Sequence, residues 1–187
     1  MKCRRSLRRA LPGMRCIQMK KGTIQVICGS GRGKTNAAVG RAIRALAEQE
    51  NVIMIQFLKG SQDEGMKDVL ARLEPELKVF RFEKASAFYE TLSSQEKAEE
   101  CVNIRNGLNF ARKVMATGEC DLLILDEILG IVDCGIIKTG DLMQMLESRE
   151  SEMDVVLTGK VFPEGLEDIA DDISVIQKVK VDKEEEG

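Results

Sequence analysis

The sequence predicts a single α/β domain, a mostly parallel sheet with helices on both faces. Three observations lead there. Short apolar runs alternate with segments whose apolar residues recur at helical spacing, the pattern of strand-helix-strand units. The chain has 187 residues, which suits one domain with a sizeable core. No apolar stretch approaches the roughly 20 residues of a membrane-spanning helix, so no membrane role is expected.

The first strand is expected at residues 23–28, where Thr23-Ile24-Gln25-Val26-Ile27-Cys28 runs into glycines. Residues 36–49 carry Ala, Val, Ile and Leu at helical spacing and form the first helix. Val52-Ile53-Met54-Ile55-Gln56-Phe57 is the second strand, 66–73 a short helix, and Lys78-Val79-Phe80-Arg81-Phe82 the third strand. A long helix covers 94–116. Asp121-Leu122-Leu123-Ile124-Leu125 is the most apolar strand, as a strand covered on both faces should be. A helix at 139–148, a strand at 154–158, a helix around 163–170 and a strand at 173–177 complete the series. The loops at 60–65 and 83–93 are expected to be mobile, and loops at strand carboxyl ends build the site in such sheets.

Composition removes several function classes. Histidine is absent, which excludes His-based triads, His metal sites and the His pH switch. Cysteines stand at 3, 16, 28, 101, 120 and 134, never as C-x-x-C, and no apolar signal-peptide segment precedes them. They read as small buried apolar residues of a cytoplasmic protein, and Cys28 alone touches a functional motif.

The net charge of −3 is unevenly spread. Residues 1–21 carry eight basic side chains and no acid; subtracting these from 28 leaves 20 against 31 acids, a net near −11. Residues 1–21 are therefore a basic extension expected to be poorly ordered, 22–178 the domain, and 179–187 a charged tail. Met14 and Met19 lie just ahead of the first strand, so either could be the true start. The extension lacks the aromatic interleaving of a nucleic-acid arm, and nucleic acid is not expected as a partner.

The most informative segment is Cys28-Gly29-Ser30-Gly31-Arg32-Gly33-Lys34-Thr35, between a strand and a helix. Glycines let backbone N–H groups converge on phosphate oxygens, the helix adds its positive end, Lys34 a point charge, and Thr35 a hydroxyl for Mg2+. Cys28 replaces the first Gly of G-x-x-x-x-G-K-[ST]. Three alternating glycines before Lys-Thr have little use in packing, which favours phosphate binding over a plain turn. Leu122-Leu123-Ile124-Leu125-Asp126-Glu127 is an apolar strand ending in two carboxylates, the form of a Walker B strand. Its end should lie beside the phosphate loop, with one carboxylate facing the metal and the other supporting. Together these give a P-loop NTPase (RecA-like) architecture with a Mg2+-nucleotide site. The absence of N-K-x-D for guanine points to ATP.

The ordered set Gly29-Ser30-Gly31-Arg32-Gly33-Lys34-Thr35-Asn36-Ala37-Ala38-Val39-Gly40, Gln56-Phe57-Leu58-Lys59-Gly60, Leu125-Asp126-Glu127 and Leu157-Thr158-Gly159-Lys160 resembles the ATP:corrinoid adenosyltransferase family. That family shows G-N-G-K-G-K-T-T-A-A-x-G, Q-F-x-K-G, L-D-E and T-G-R in this order, and the resemblance spans roughly residues 23–178. It implies transfer of the 5′-deoxyadenosyl group of ATP to the reduced cobalt of a corrinoid, cobalamin or cobinamide, with release of tripolyphosphate. It also implies that Gly29, Ser30, Gly31, Arg32, Gly33, Lys34, Thr35 and Asn36 hold the phosphates. Thr35 and Glu127 would bind Mg2+, with Asp126 touching the metal or supporting from behind. Arg44 would help bind nucleotide, Gln56 and Lys59 would shape the site mouth, and Lys160 stands at the Arg of T-G-R. Lys34, Thr35 and Glu127 would carry catalysis. A flavoprotein reductase for the cobalt and a homodimer are further implications.

The sequence departs from the family at several of these positions. Ser30, Arg32 and Lys160 replace Asn, Lys and Arg, keeping polarity or charge but not Arg's bidentate geometry. The corrinoid-facing G-F-T-W segment is Ser86-Ala87-Phe88-Tyr89 here, which makes Phe88 and Tyr89 the corrinoid candidates. The alternative is a divergent ATP-binding or ATP-hydrolysing protein of this fold that acts through a protein partner. A nucleic-acid-linked RecA-like ATPase is a third reading, drawn only from the basic extension.

Overall fold

The computed structural model describes residues 21–58, 64–82 and 89–180. Strands β1 (Ile24–Cys28), β2 (Val52–Gln56), β3 (Leu77–Arg81), β4 (Leu122–Asp126), β5 (Asp154–Thr158) and β6 (Asp172–Val175) form one parallel sheet in the order β3-β2-β4-β5-β1-β6. The helices are α1 (Lys34–Ala47), α2 (Glu64–Ala71), α3 (Ser94–Thr117), α4 (Ile128–Asp133) and α5 (Thr139–Glu147).

Because strand side chains alternate, the sheet feeds two separate cores. Ile27, Val52, Met54, Leu122, Ile124 and Val156 pack under α1 and α2. Val26, Ile53, Ile55, Leu123, Leu125 and Val155 pack under α3, α4 and α5. Every residue of β2, β4 and β5 is buried, which explains why these segments read as continuous apolar runs. The two-faced α/β fold is the one the sequence predicts.

Local chemistry sets the boundaries. Helix α3 starts at a capping box, Ser93 with Glu96, and ends at Gly118 with φ 60°. Midway along α3, Gly107 lets the helix approach the sheet. A Cβ there would lie 2.6 Å from Phe57 Cε1 and 2.7 Å from Phe82 Cγ. At the amino end of the sheet Asp154 accepts from Thr23 N and Oγ1 at 2.7 and 2.8 Å, tying β1 to β5.

Two expectations need correction. Residues 163–170 form only a single 3-10 turn, Leu166–Asp168, because Gly165, left-handed at φ 86°, breaks the helical backbone two residues after Pro163. Helix α4 escaped the sequence reading: its six residues are too few for helical periodicity to show.

Candidate functional site

The loop between β1 and α1 closes over the end of the sheet. Gly33, at φ 104°, precedes the first helical residue, so Lys34 and Thr35 occupy the first turn of α1, two residues earlier than the sequence pattern indicates. Lys34 Nζ folds back and donates to the carbonyls of Gly29 and Gly31 at 2.8 and 2.9 Å.

The glycines of this loop do more packing than the sequence reading allows. Gly29 N–H donates to Lys160 O at 3.0 Å and Gly31 N–H to Ile176 O at 2.8 Å, so both amides anchor the loop to neighbouring chain. A Cβ at Gly29, where φ is 112°, would collide with Ile176 O, and one at Gly31 would lie 2.8 Å from Ile176 Cγ2. These glycines let the segment after β6 press against the loop. Ser30, Arg32 and Asn36 are exposed, and Gly33, Lys34 and Thr35 half-buried. Cys28 is buried beneath them; burial raises its thiol pKa and the nearby Lys34 charge opposes the rise.

Asp126 is the centre of the polar contacts. It is fully buried at the end of β4, on the α1 face of the sheet. Thr35 Oγ1 donates to Asp126 Oδ1 at 2.9 Å and lies 3.2 Å from Oδ2; Thr158 Oγ1 donates to Oδ1 at 2.7 Å; Gln56 Nε2 donates to Oδ2 at 3.0 Å. Thr158 also accepts the N–H of Glu127 at 2.9 Å. Glu127 is half-buried and left-handed at φ 62°, the turn that starts α4 beside the loop. Gly159 permits this crowding, since a Cβ there would lie 2.5 Å from Leu129 Cβ.

The sheet order explains which residues meet. Strand β5 separates β4 from β1, so the carboxylate strand is not directly beside the phosphate-loop strand. Thr35 reaches Asp126 from α1, and Thr158 reaches it from the intervening β5. Gln56 is paired with Asp126 across β2 and β4, and Arg81 with Gln56 across β3 and β2. Arg81 Nε donates to Gln56 Oε1 at 2.9 Å. Sequence reasoning missed Thr158 and Arg81 as site residues, although both lie in strands it had found.

The other expected residues are more widely spread. Gln56 is not at the mouth but 2% exposed beneath α1, because its parity points it into that face. Arg44 sits in the last turn of α1, roughly 15 Å of helix from Lys34, and pairs with Glu48 at 3.4 Å in solvent. Lys160 is exposed just past β5. Tyr89 is half-buried in a 3-10 turn, Tyr89–Thr91, with its hydroxyl 3.4 Å from Cys101 Sγ and Lys97 Nζ 5.7 Å above its ring. That contact with Cys101, helped by burial, pushes the Tyr89 pKa up to about 12. Lys59 and Phe88 lie outside the described residues.

Residues 20–187 match the family ATP:corrinoid adenosyltransferase BtuR/CobO/CobP. The chain belongs to this family. Corrinoid adenosyltransferase of Escherichia coli (strain K12) is 29% identical over 163 residues, covering 87% of this chain and 80% of that protein. Corrinoid adenosyltransferase CobA of Salmonella typhimurium (strain LT2) is 28% identical over the same shares. Corrinoid adenosyltransferase of Pseudomonas aeruginosa (strain PAO1) is 25% identical over 86% of this chain and 77% of that protein. Membership makes the chain a transferase whose substrates are ATP and a corrinoid, and its single α/β domain with an all-parallel sheet is consistent with the fold of that family. Among the described residues, no helix of this adenosyltransferase is long and apolar enough to cross a membrane.

Proposed function

We propose that the triphosphate of ATP lies over the loop from Gly29 to Asn36 and that Mg2+ is held by the Thr35 hydroxyl and the Glu127 carboxylate. The observation that carries this reading is the contact between Thr35 and Asp126. A hydroxyl that binds a cation through its oxygen still has its proton to give, and here that proton points at Asp126. Asp126 already receives three donors, which suits a carboxylate that orients Thr35 rather than one that binds metal. Hard oxygen ligands supplemented by phosphates and water are what Mg2+ requires, so the residues present fit the ion. Bound there, it would neutralise charge on the phosphates.

In the reaction the reduced cobalt is the nucleophile: a cobalt–carbon bond forms at C5′ as the bond from C5′ to the triphosphate oxygen breaks. No side-chain nucleophile is needed, which agrees with the absence of histidine. The protein's part is positioning and stabilisation of the departing tripolyphosphate. Lys34 would exchange its bonds to Gly29 and Gly31 carbonyls for phosphate oxygens. Backbone N–H groups of the loop from Gly29 to Asn36 would donate to the phosphates; in the structure the Gly29 and Gly31 amides are engaged by the carbonyls of Lys160 and Ile176. Lys59 and exposed Lys160 would line the nucleotide's approach, and Tyr89 with Phe88 would meet the corrinoid at the carboxyl end of the sheet. Reduction of cobalt by a separate flavoprotein, a homodimeric assembly and a cytoplasmic location complete the reading.

The deciding experiment is anaerobic incubation of the protein with Mg-ATP and chemically reduced cobalamin or cobinamide, following the corrinoid spectrum and tripolyphosphate. Photolabile adenosylcorrinoid with equal tripolyphosphate is the expected result. ATP binding without product would shift the reading to an ATP-dependent protein acting through a partner.

A further inference from the structure

Four side chains stand in one row across the carboxyl end of the sheet: Arg81 on β3, Gln56 on β2, Asp126 on β4 and Thr158 on β5. The register sets the first three side by side, Arg81 opposite Gln56 and Gln56 opposite Asp126. Directly opposed residues of parallel strands point to the same face, here the α1 face that carries Thr35. Gln56 is 2% exposed, so both ends of its amide must find partners inside the protein. Guanidinium groups only donate, so the bond from Arg81 Nε at 2.9 Å requires Gln56 Oε1 on the β3 side. The amide nitrogen is thereby directed at Asp126 Oδ2, 3.0 Å away. Oδ1 is left for Thr158 at 2.7 Å and Thr35 at 2.9 Å.

We propose that Arg81 is a positioning residue for the nucleotide site: by pinning the Gln56 amide it sets the rotation of the Asp126 carboxylate and so the direction of the Thr35 hydroxyl. Two strand spacings, roughly 10 Å, separate Arg81 from Asp126, so its effect passes through Gln56 rather than by contact with the phosphates. The inference rests on the proposed role of Thr35 as a Mg2+ ligand. Arg81 also lines an open cleft of about 290 Å³ with Lys67, Leu70, Ala71, Glu74 and Val79, so shortening it enlarges a cleft rather than opening a void in either core.

The test is calorimetric binding of ATP with and without Mg2+ to the wild type, Arg81→Met and Arg81→Lys, with thermal unfolding as the check on folding. Arg81→Met should weaken Mg-ATP binding roughly tenfold, the low end of losses seen when the group behind a metal ligand is removed. Binding of Mg-free ATP should be unchanged, and Arg81→Lys, which keeps one donor for Gln56 Oε1, should recover part of the loss. In a Gln56→Met background, Arg81→Met should add nothing, because the two residues act in series. If Gln56→Met fails to fold, the lysine rescue decides. Unchanged Mg-ATP affinity in Arg81→Met, an equal loss with and without Mg2+, no recovery in Arg81→Lys, or additive losses would each overturn the proposal. A wild type whose ATP binding ignores Mg2+ would instead overturn the metal site on which it rests.

Discussion

Thr158 Oγ1 stands 2.7 Å from Asp126 Oδ1 and simultaneously accepts the N–H of Glu127, so one hydroxyl serves both acidic residues at the end of β4. Thr158→Val keeps the shape and removes both bonds, leaving polar groups unpaired in a buried place. The expected cost is about 1–3 kcal/mol of folding stability. Urea unfolding measures it, and Thr158→Ser should stay near the wild type. A valine variant as stable as the wild type would mean that this hydroxyl does not hold the site together.

Lys34→Ala removes two bonds to loop carbonyls and the positive charge that, on the proposed reading, would meet the phosphates. A charge-assisted contact of this kind is worth about 1.5–3 kcal/mol, so Mg-ATP affinity should fall by roughly one to two orders of magnitude. The circular dichroism spectrum should be that of the wild type. Retained affinity would remove Lys34 from the phosphate site.

At Gly107 two effects oppose each other. Alanine would favour α3 by about 1 kcal/mol through helix propensity. Its Cβ, however, would press on Phe57 and Phe82, and overpacking a core costs about 1–3 kcal/mol. Gly107→Ala should therefore be less stable than the wild type in thermal unfolding. A more stable variant would show that α3 can move off the sheet without loss.

Tyr89 is the chain's single tyrosine and there is no tryptophan, so phenolate absorbance reports it alone. With its pKa raised from 10.0 to about 12, the folded protein keeps the phenol proton where the unfolded chain loses it. The resulting stability is complete below pH 10.0 and disappears as pH rises through about 12. Cys101→Ala should bring the absorbance midpoint back down toward 10.0, because the contact with Cys101 is the largest cause of the rise. A midpoint unmoved by that substitution would break the assignment. Tyr89→Ala should impair corrinoid use while sparing ATP binding, read by comparing KM for the two substrates.

Much of the site is written in contiguous residues. The glycines, Lys34 and Thr35 are contiguous from the loop into the first turn of α1, and Asp126 and Glu127 are neighbours at the end of β4, so their chemistry shows in the linear order of residue types. The boundaries of α1 and the reduction of 163–170 to a single turn were less legible, because Gly33 and Gly165 act through their φ angles rather than their composition. Arg44 is a case where position in the sequence and place in the fold differ: the resemblance puts it with the nucleotide-binding residues, and ten residues of helix separate it from Lys34.

By itself the sequence determined the α/β class, the family and the linear motifs that mark a candidate phosphate loop and an acidic strand end, since each depends on periodicity or on a run of neighbouring residues. Only the tertiary structure decided that Arg81, Gln56, Asp126, Thr158 and Thr35 form one hydrogen-bonded row, and that Gly29 and Gly31 make way for Ile176. Those facts follow from strand order and register. They are set by how two apolar faces bury themselves against different helices, a property of the whole packed sheet rather than of any segment of it.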